Sequence, residues 1–124
     1  MLGVLVPIGY ADGYRRGLFG KAWAGVHGQQ AALLGRVSMD QTVFGVPPGV
    51  RARVGDPVHI MGRPEDGAPT AADLAAMVDT NTYEILVSMR ARIPRVYIRG
   101  GEFVAEKSLE APPWEAEESP SGAY

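Results

Sequence analysis

Apolar positions in the first half of the chain come in short runs cut by glycine and proline, the rhythm of strands and turns. Leu2–Ile8 is nearly continuous and predicts a buried strand, with Pro7 near its end where a missing N–H costs least. Gly9–Gly20 holds four glycines and two arginines without a period, which predicts a loop. Ala22–Val26 and Gln30–Val37 are strand-like and flank His27-Gly28, a pair suited to a hairpin turn. Gln41–Val46 predicts a further strand closed by Pro47-Pro48-Gly49. After the Gly55-Asp56 turn, Pro57–Met61 predicts a short strand that Gly62 ends.

The pattern changes after Glu65–Pro69. Thr70 is placed to cap a helix, with Asp73 three residues on in a capping-box position. Leu74, Met77 and Val78 then share one face, so Ala71–Val78 predicts a short amphipathic helix. Asn81 followed by Glu84 repeats the cap signal, with Ile85, Leu86 and Met89 as the apolar side of a second helix. Ile93–Ile98 returns to strand, Gly100-Gly101 turns, and Glu102–Ala105 pairs back. The sum is a mainly β domain over residues 1–109, a small barrel, sandwich or Greek-key-like arrangement with a short helical insertion near 71–89. Residues 110–124 form an acidic Pro/Glu/Ser tail too poor in apolar residues to offset its ordering entropy, and it is expected to be disordered.

Composition narrows the function. With 124 residues the chain is one domain by size and too short for a barrel enzyme of roughly 250 residues. It has no cysteine, which excludes disulfides, thiolate metal sites and a cysteine nucleophile and suits the cytoplasm. His27 and His59 stand 32 residues apart without patterned ligands, so they read as a turn and a strand histidine, and no metal site is expected. All 12 basic residues lie before Glu110 against 10 acids, leaving that part at +2, without the dense positive field of a nucleic-acid binder. No apolar run nears the ~18 residues that span a bilayer, so no membrane partner is expected. Met1–Ile8 lacks a basic flank, so it reads as a strand rather than a signal peptide.

Three stretches are richer in polar groups than a connection needs. Gly9–Arg16 presents Tyr10, Tyr14, Asp12, Arg15 and Arg16 on a glycine-hinged loop; Gly35–Gln41 interrupts a strand with Arg36, Ser38, Met39 and Asp40; Asn81–Glu84 opens a helix whose N–H groups favour an anion. Each has a structural reading beside the functional one. Tyr10 and Tyr14 can be strand-edge aromatics, Asp12 a turn former, Met39 a core filler, and Arg16 and Arg36 solvated. Were the stretches to converge, their donors would hold a small carboxylate or phosphate.

Val6–Tyr14 followed by Arg16, then Leu34–Gln41, Gly55–Val58, Thr80–Leu86 and Arg92–Tyr97, in that order and spacing, resembles the C-terminal β domain of alanine racemases. The resemblance covers roughly residues 4–104 and implies a fragment of an isomerase that interconverts L- and D-alanine, supplying D-alanine for peptidoglycan precursors. In that family a pyridoxal-phosphate-bearing barrel precedes the β domain, and two subunits pair so that each active site uses both. Two bases work on opposite faces of the substrate, the cofactor-holding lysine and a tyrosine from the partner. The resemblance puts neither base in this chain. It therefore implies no catalytic residue here, no cofactor on the fragment alone, and as partners the missing barrel, a second subunit of a homodimer, and alanine.

What it does carry over is a rim. Met39 matches the residue whose backbone N–H holds the substrate carboxylate. Tyr10, Arg16, Arg36, Asp40 and Tyr83 match residues of the corridor through which substrate arrives, and Tyr83 also matches a ligand of the cofactor phosphate. Arg15 stands where a proline or apolar residue is common, and Asn81 where an aliphatic one is. These departures keep a serine or broad-specificity racemase of the same fold as the alternative. From another class, a nucleic-acid-binding β-barrel module would want aromatics interleaved with bases along a strand face, and these lie on a loop.

Overall fold

The computed structural model describes residues 2–107, in two compact units divided between Met89 and Arg90. The tail expected at 110–124 lies outside the described residues. In the first unit β1 (Leu2–Val6), β2 (Trp23–Val26), β3 (Gln29–Leu34) and β4 (Thr42–Val46) form an antiparallel sheet of order β1-β4-β3-β2. Val26 pairs with Gln29, which leaves His27 and Gly28 as a two-residue loop with φ of 50° and 74°. That mirror-image turn matches the twist of the strands it joins. β3 stops at Leu34, earlier than its apolar run suggests, because Gly35 at φ 65° turns the chain away.

β4 and β3 are the inner strands of the sheet, and β4 links β1 to the rest. It pairs with β1 from Leu2 opposite Val46 to Val6 opposite Thr42, and with β3 through Ala32 opposite Gly45. The expected buried strand Leu2–Ile8 is therefore an edge strand, with Leu2 and Leu5 more than half exposed. The strand expected at Pro57–Met61 shrinks to one bridge, His59 to Gly25, closed by backbone bonds of 2.8 and 2.9 Å. Among the described residues the sheet is open and no barrel closes, while the mainly β class and the helical insertion stand.

The core lies on one face of the sheet, where Ala24, Val26, Ala31 and Phe44 meet Leu18, Leu74, Ala75 and Ile85. Tyr14 belongs to it: its ring packs edge-on against Phe44 at 6.1 Å and is 1% exposed. The glycine-rich loop thus presents one tyrosine, Tyr10, where two were expected. Burial pushes the Tyr14 phenol pKa well up, and its hydroxyl has no hydrogen-bond partner among the described residues.

Both helices start where their caps direct. In α1 (Ala71–Met77) the Thr70 hydroxyl accepts from Asp73 N at 3.1 Å and Thr70 N donates back to Asp73 at 2.9 Å. In α2 (Thr82–Val87) Asn81 Oδ1 accepts from Glu84 N at 3.0 Å. Leu74 and Ile85 face the core, but Leu86, expected on the same side as Ile85, is half exposed. In the second unit β5 (Arg95–Arg99) and β6 (Glu102–Lys107) make a hairpin whose Gly100-Gly101 loop has positive φ at both residues.

Candidate functional site

The stretch after β1 is shaped by its own carboxylate. Tyr10–Asp12 makes a single tight helical turn, and the buried Asp12 accepts from Gly9 N at 3.0 Å. The loop then docks on the second polar stretch by backbone. Tyr10 N donates to Ser38 O at 3.0 Å and Ala11 N to Met39 O at 2.9 Å. At Gly9 a Cβ would sit 2.1 Å from Ser38 O, so only glycine allows this approach. Ser38 N donates to Gln41 O at 3.1 Å, forming a turn that leaves Ser38, Met39 and Asp40 exposed. Thr42, fully buried, donates its hydroxyl to Ile8 O at 2.6 Å and ties the same two stretches from below.

The third stretch joins through α2. Gly13, at φ 109°, lies so close that a Cβ would be 2.3 Å from Ser88 O. Arg15 Nη2 is 2.7 Å from Glu84 Oε1 and donates to Ser88 Oγ at 3.1 Å. The Thr80 hydroxyl donates to the other Glu84 oxygen. The Thr80 hydrogen bond first and the Arg15 guanidinium second hold the Glu84 carboxyl below its ordinary range.

The three stretches therefore meet, and most of their candidate side chains point outward. Tyr10, Met39 and Tyr83 are 43%, 55% and 79% exposed, and Arg16, Arg36 and Asp40 are exposed as well. Arg16 lies over the Tyr10 ring at 5.7 Å and Arg36 over the Phe19 ring at 5.4 Å, so the two guanidiniums rest on aromatic faces. Neither has a carboxylate partner among the described residues, and no hydrogen bond joins Tyr83 to the Met39 turn. Two unpaired guanidiniums beside an exposed turn can attract and orient a small anion.

Other chemistry lies elsewhere. Lys21 is exposed, its Nζ donating to Met77 O at 3.0 Å, and Lys107 is exposed at the end of β6. His27 pairs with Asp56 at 2.8 Å on the hairpin turn. The Arg53 backbone N–H and then His27 lower the Asp56 pKa. No group of three or more His, Asp or Glu able to hold a metal ion occurs among the described residues, and none of their helices is long and apolar enough to cross a membrane. A cavity of about 630 Å³ opens along β1, lined by Leu2, Val4, Val6, Val26, Ala52 and Val58 among others, and includes none of the candidate residues.

A family model described as "Alanine racemase, C-terminal domain" matches residues 2–97. The chain belongs to this family. Alanine racemase 1 of Clostridium acetobutylicum is 43% identical over 99 residues, which are 80% of this chain and 26% of that protein. Alanine racemase of Symbiobacterium thermophilum is 42% identical over 78% of this chain and 25% of its own length. Among solved structures, alanine racemase from Bacillus anthracis with bound L-Ala-P matches with a TM-score of 0.78 and 34% identity over 87% of this chain and 27% of its own. The enzyme from D-cycloserine-producing Streptomyces lavendulae matches at 0.71 and 41%, over 79% of this chain and 25% of its own. The chain thus spans about a quarter of the length of the curated relatives it matches.

Within this alanine racemase C-terminal domain, sequence reading missed three contributors. Phe19 carries Arg36, Ser88 receives Arg15, and Thr42 fastens the strand end to Ile8. Phe19 left a trace in the sequence, as an isolated aromatic between glycines in a polar loop. Ser88 and Thr42 left none, because their partners lie 73 and 34 residues away.

Proposed function

We propose that this chain is the C-terminal part of a cytoplasmic, homodimeric alanine racemase, with residues 1–109 as the functional domain. In this reading its loop cluster forms the corridor through which alanine reaches a pyridoxal phosphate held by the barrel of the full-length enzyme. The observation that supports it most is the convergence of the three polar stretches through Tyr10 N to Ser38 O, Ala11 N to Met39 O, and Arg15 to Glu84. Arg16 and Arg36 draw in the anionic end of the amino acid, Tyr10 and Asp40 line its path, and the Met39 N–H donates to its carboxylate. The Tyr83 hydroxyl narrows the path and donates to the cofactor phosphate.

The residues present fit that group in part. An exposed phenol with no hydrogen-bond partner among the described residues suits a phosphate oxygen. No desolvated lysine accompanies it, since Lys21 and Lys107 are both exposed, so attachment of the cofactor falls outside this domain. When bound, pyridoxal phosphate supplies the electron sink that lets the Cα proton of alanine leave. This domain's part is to admit, orient and neutralise.

A broader substrate range rested on Asn81 making the corridor polar. Its side-chain oxygen caps α2, and the relatives matched are named alanine racemases, which favours alanine. The test uses the full-length enzyme. Tyr83→Phe deletes a charge-assisted bond of about 1.5–3 kcal/mol, so cofactor affinity measured by fluorescence should fall roughly ten- to a hundredfold. Arg36→Ala should raise KM and flatten the salt dependence of kcat/KM, because steering by charge is screened. Unchanged affinity together with an unchanged salt profile would reduce the likeness to fold alone.

A further inference from the structure

We propose that Arg15 is a positioning residue that sets the orientation of Tyr83 through Glu84. This rests on the reading of Tyr83 as a contact to the cofactor phosphate. Arg15 leaves the loop between two tight helical turns, Tyr10–Asp12 and Arg16–Leu18, and its guanidinium spans one turn of α2, from Glu84 at 2.7 Å to Ser88 at 3.1 Å. Glu84 is the hub of the helix start. One carboxylate oxygen takes Arg15 and the other takes Thr80, while its N–H is capped by Asn81.

The Tyr83 side chain stands beside that hub, 79% exposed and with no hydrogen bond among the described residues, so the placement of the helix start sets where its ring lies. A helix of six residues does not hold its own placement in water. Two kinds of contact fix α2 from either side. Ile85 is buried in the core, and on the loop side Gly13 backs onto Ser88 O while Arg15 holds the first turn. Removing Arg15 leaves Ile85 and the Gly13–Ser88 approach as anchors and frees the first turn to shift and carry the phenol away. Arg15 and Glu84 are 28% and 53% exposed at their side chains, and such pairs add little to folding. Orientation, rather than stability, is what this pair supplies.

The experiment is a double-mutant cycle on the full-length enzyme, reading the Kd for pyridoxal phosphate by equilibrium fluorescence, with thermal unfolding alongside. Arg15→Ala should weaken the cofactor about three- to tenfold in the parent enzyme and less than about twofold in the Tyr83→Phe background, the signature of one residue acting through another. Arg15→Lys, which keeps the charge but not the planar guanidinium whose Nη2 reaches both Glu84 and Ser88, should lie between, and it keeps the test open where Arg15→Ala folds poorly. Tm should stay nearly constant throughout. Equal weakening by Arg15→Ala in both backgrounds, or none in either, overturns the proposal. Unchanged affinity in Tyr83→Phe alone overturns the reading of Tyr83 instead, and the positioning role falls with it.

Discussion

The sheet face and the loop cluster are built by opposite means. On the sheet, side chains do the holding: Ala24, Val26, Ala31 and Phe44 are fully buried and none of them carries a polar group. In the loop cluster the backbone does much of it, beside the side-chain bonds of Asp12, Thr42 and Arg15. Gly9 sits against Ser38 O, Gly13 against Ser88 O, and Tyr10 and Ala11 donate main-chain N–H groups to the Met39 turn, while the side chains of Tyr10, Met39 and Tyr83 stay exposed. A region fixed through its backbone can keep its side chains for a ligand. A region fixed through its side chains cannot.

The largest effect should come from breaking the sheet side. Phe44 is fully buried and carries the Tyr14 ring, so Phe44→Ala removes both a core volume and an aromatic contact. Chemical denaturation should show a loss of about 3–5 kcal/mol. A loss under about 1 kcal/mol would mean that the core does not rest on this face.

Gly9→Ala should come next, at about 3 kcal/mol, the upper end for forcing an atom into a packed site. The new Cβ would meet backbone, at 2.1 Å from Ser38 O and 2.5 Å from Met39 O, which has no rotamer to yield. The damage should be local. Amide exchange should quicken at Tyr10 and Ala11 while β3 and β4 keep their protection, and uniform loss of protection would show that cluster and sheet are one cooperative unit.

How far each region was legible in the sequence follows the same division. The caps at Thr70 and Asn81 and the His27-Gly28 and Gly100-Gly101 turns were readable because partner and signal lie within four residues. β1 was misread as buried because an apolar run does not say which strand it will pair with, and β4, its one partner among the described residues, is some forty residues on. Tyr14 was misread as presented because a glycine-rich loop gives no period from which to tell an inward ring from an outward one. The polar stretches could be singled out one by one. Their meeting depends on hydrogen bonds between Tyr10 and Ser38 and between Arg15 and Glu84, which composition and periodicity do not encode.

The smallest effect tests the contrast by acid. Among the described residues the sheet core shows no ion pair, whereas α2 is tied to its loop through Glu84, whose carboxyl is held below its ordinary range by Thr80 and Arg15. A carboxyl whose pKa is depressed on folding stabilises the fold at and above the ordinary carboxylate range. That contribution is lost as pH falls through the depressed value. Lowering pH from neutral into and below that range should therefore loosen the start of α2 before the sheet responds, seen as NMR shift changes at Tyr83 and Glu84 with Phe44 and Val46 unmoved. Asp56 is lowered in the same direction by the Arg53 N–H and His27, so the hairpin turn at His27 should respond in the same window and must be told apart. Glu84→Gln does so, because the amide does not titrate: the acid response should vanish at α2 and persist at His27. If α2 in Glu84→Gln still moves with acid, the charge on Glu84 is not what joins helix to loop, and the cluster rests on its glycines alone.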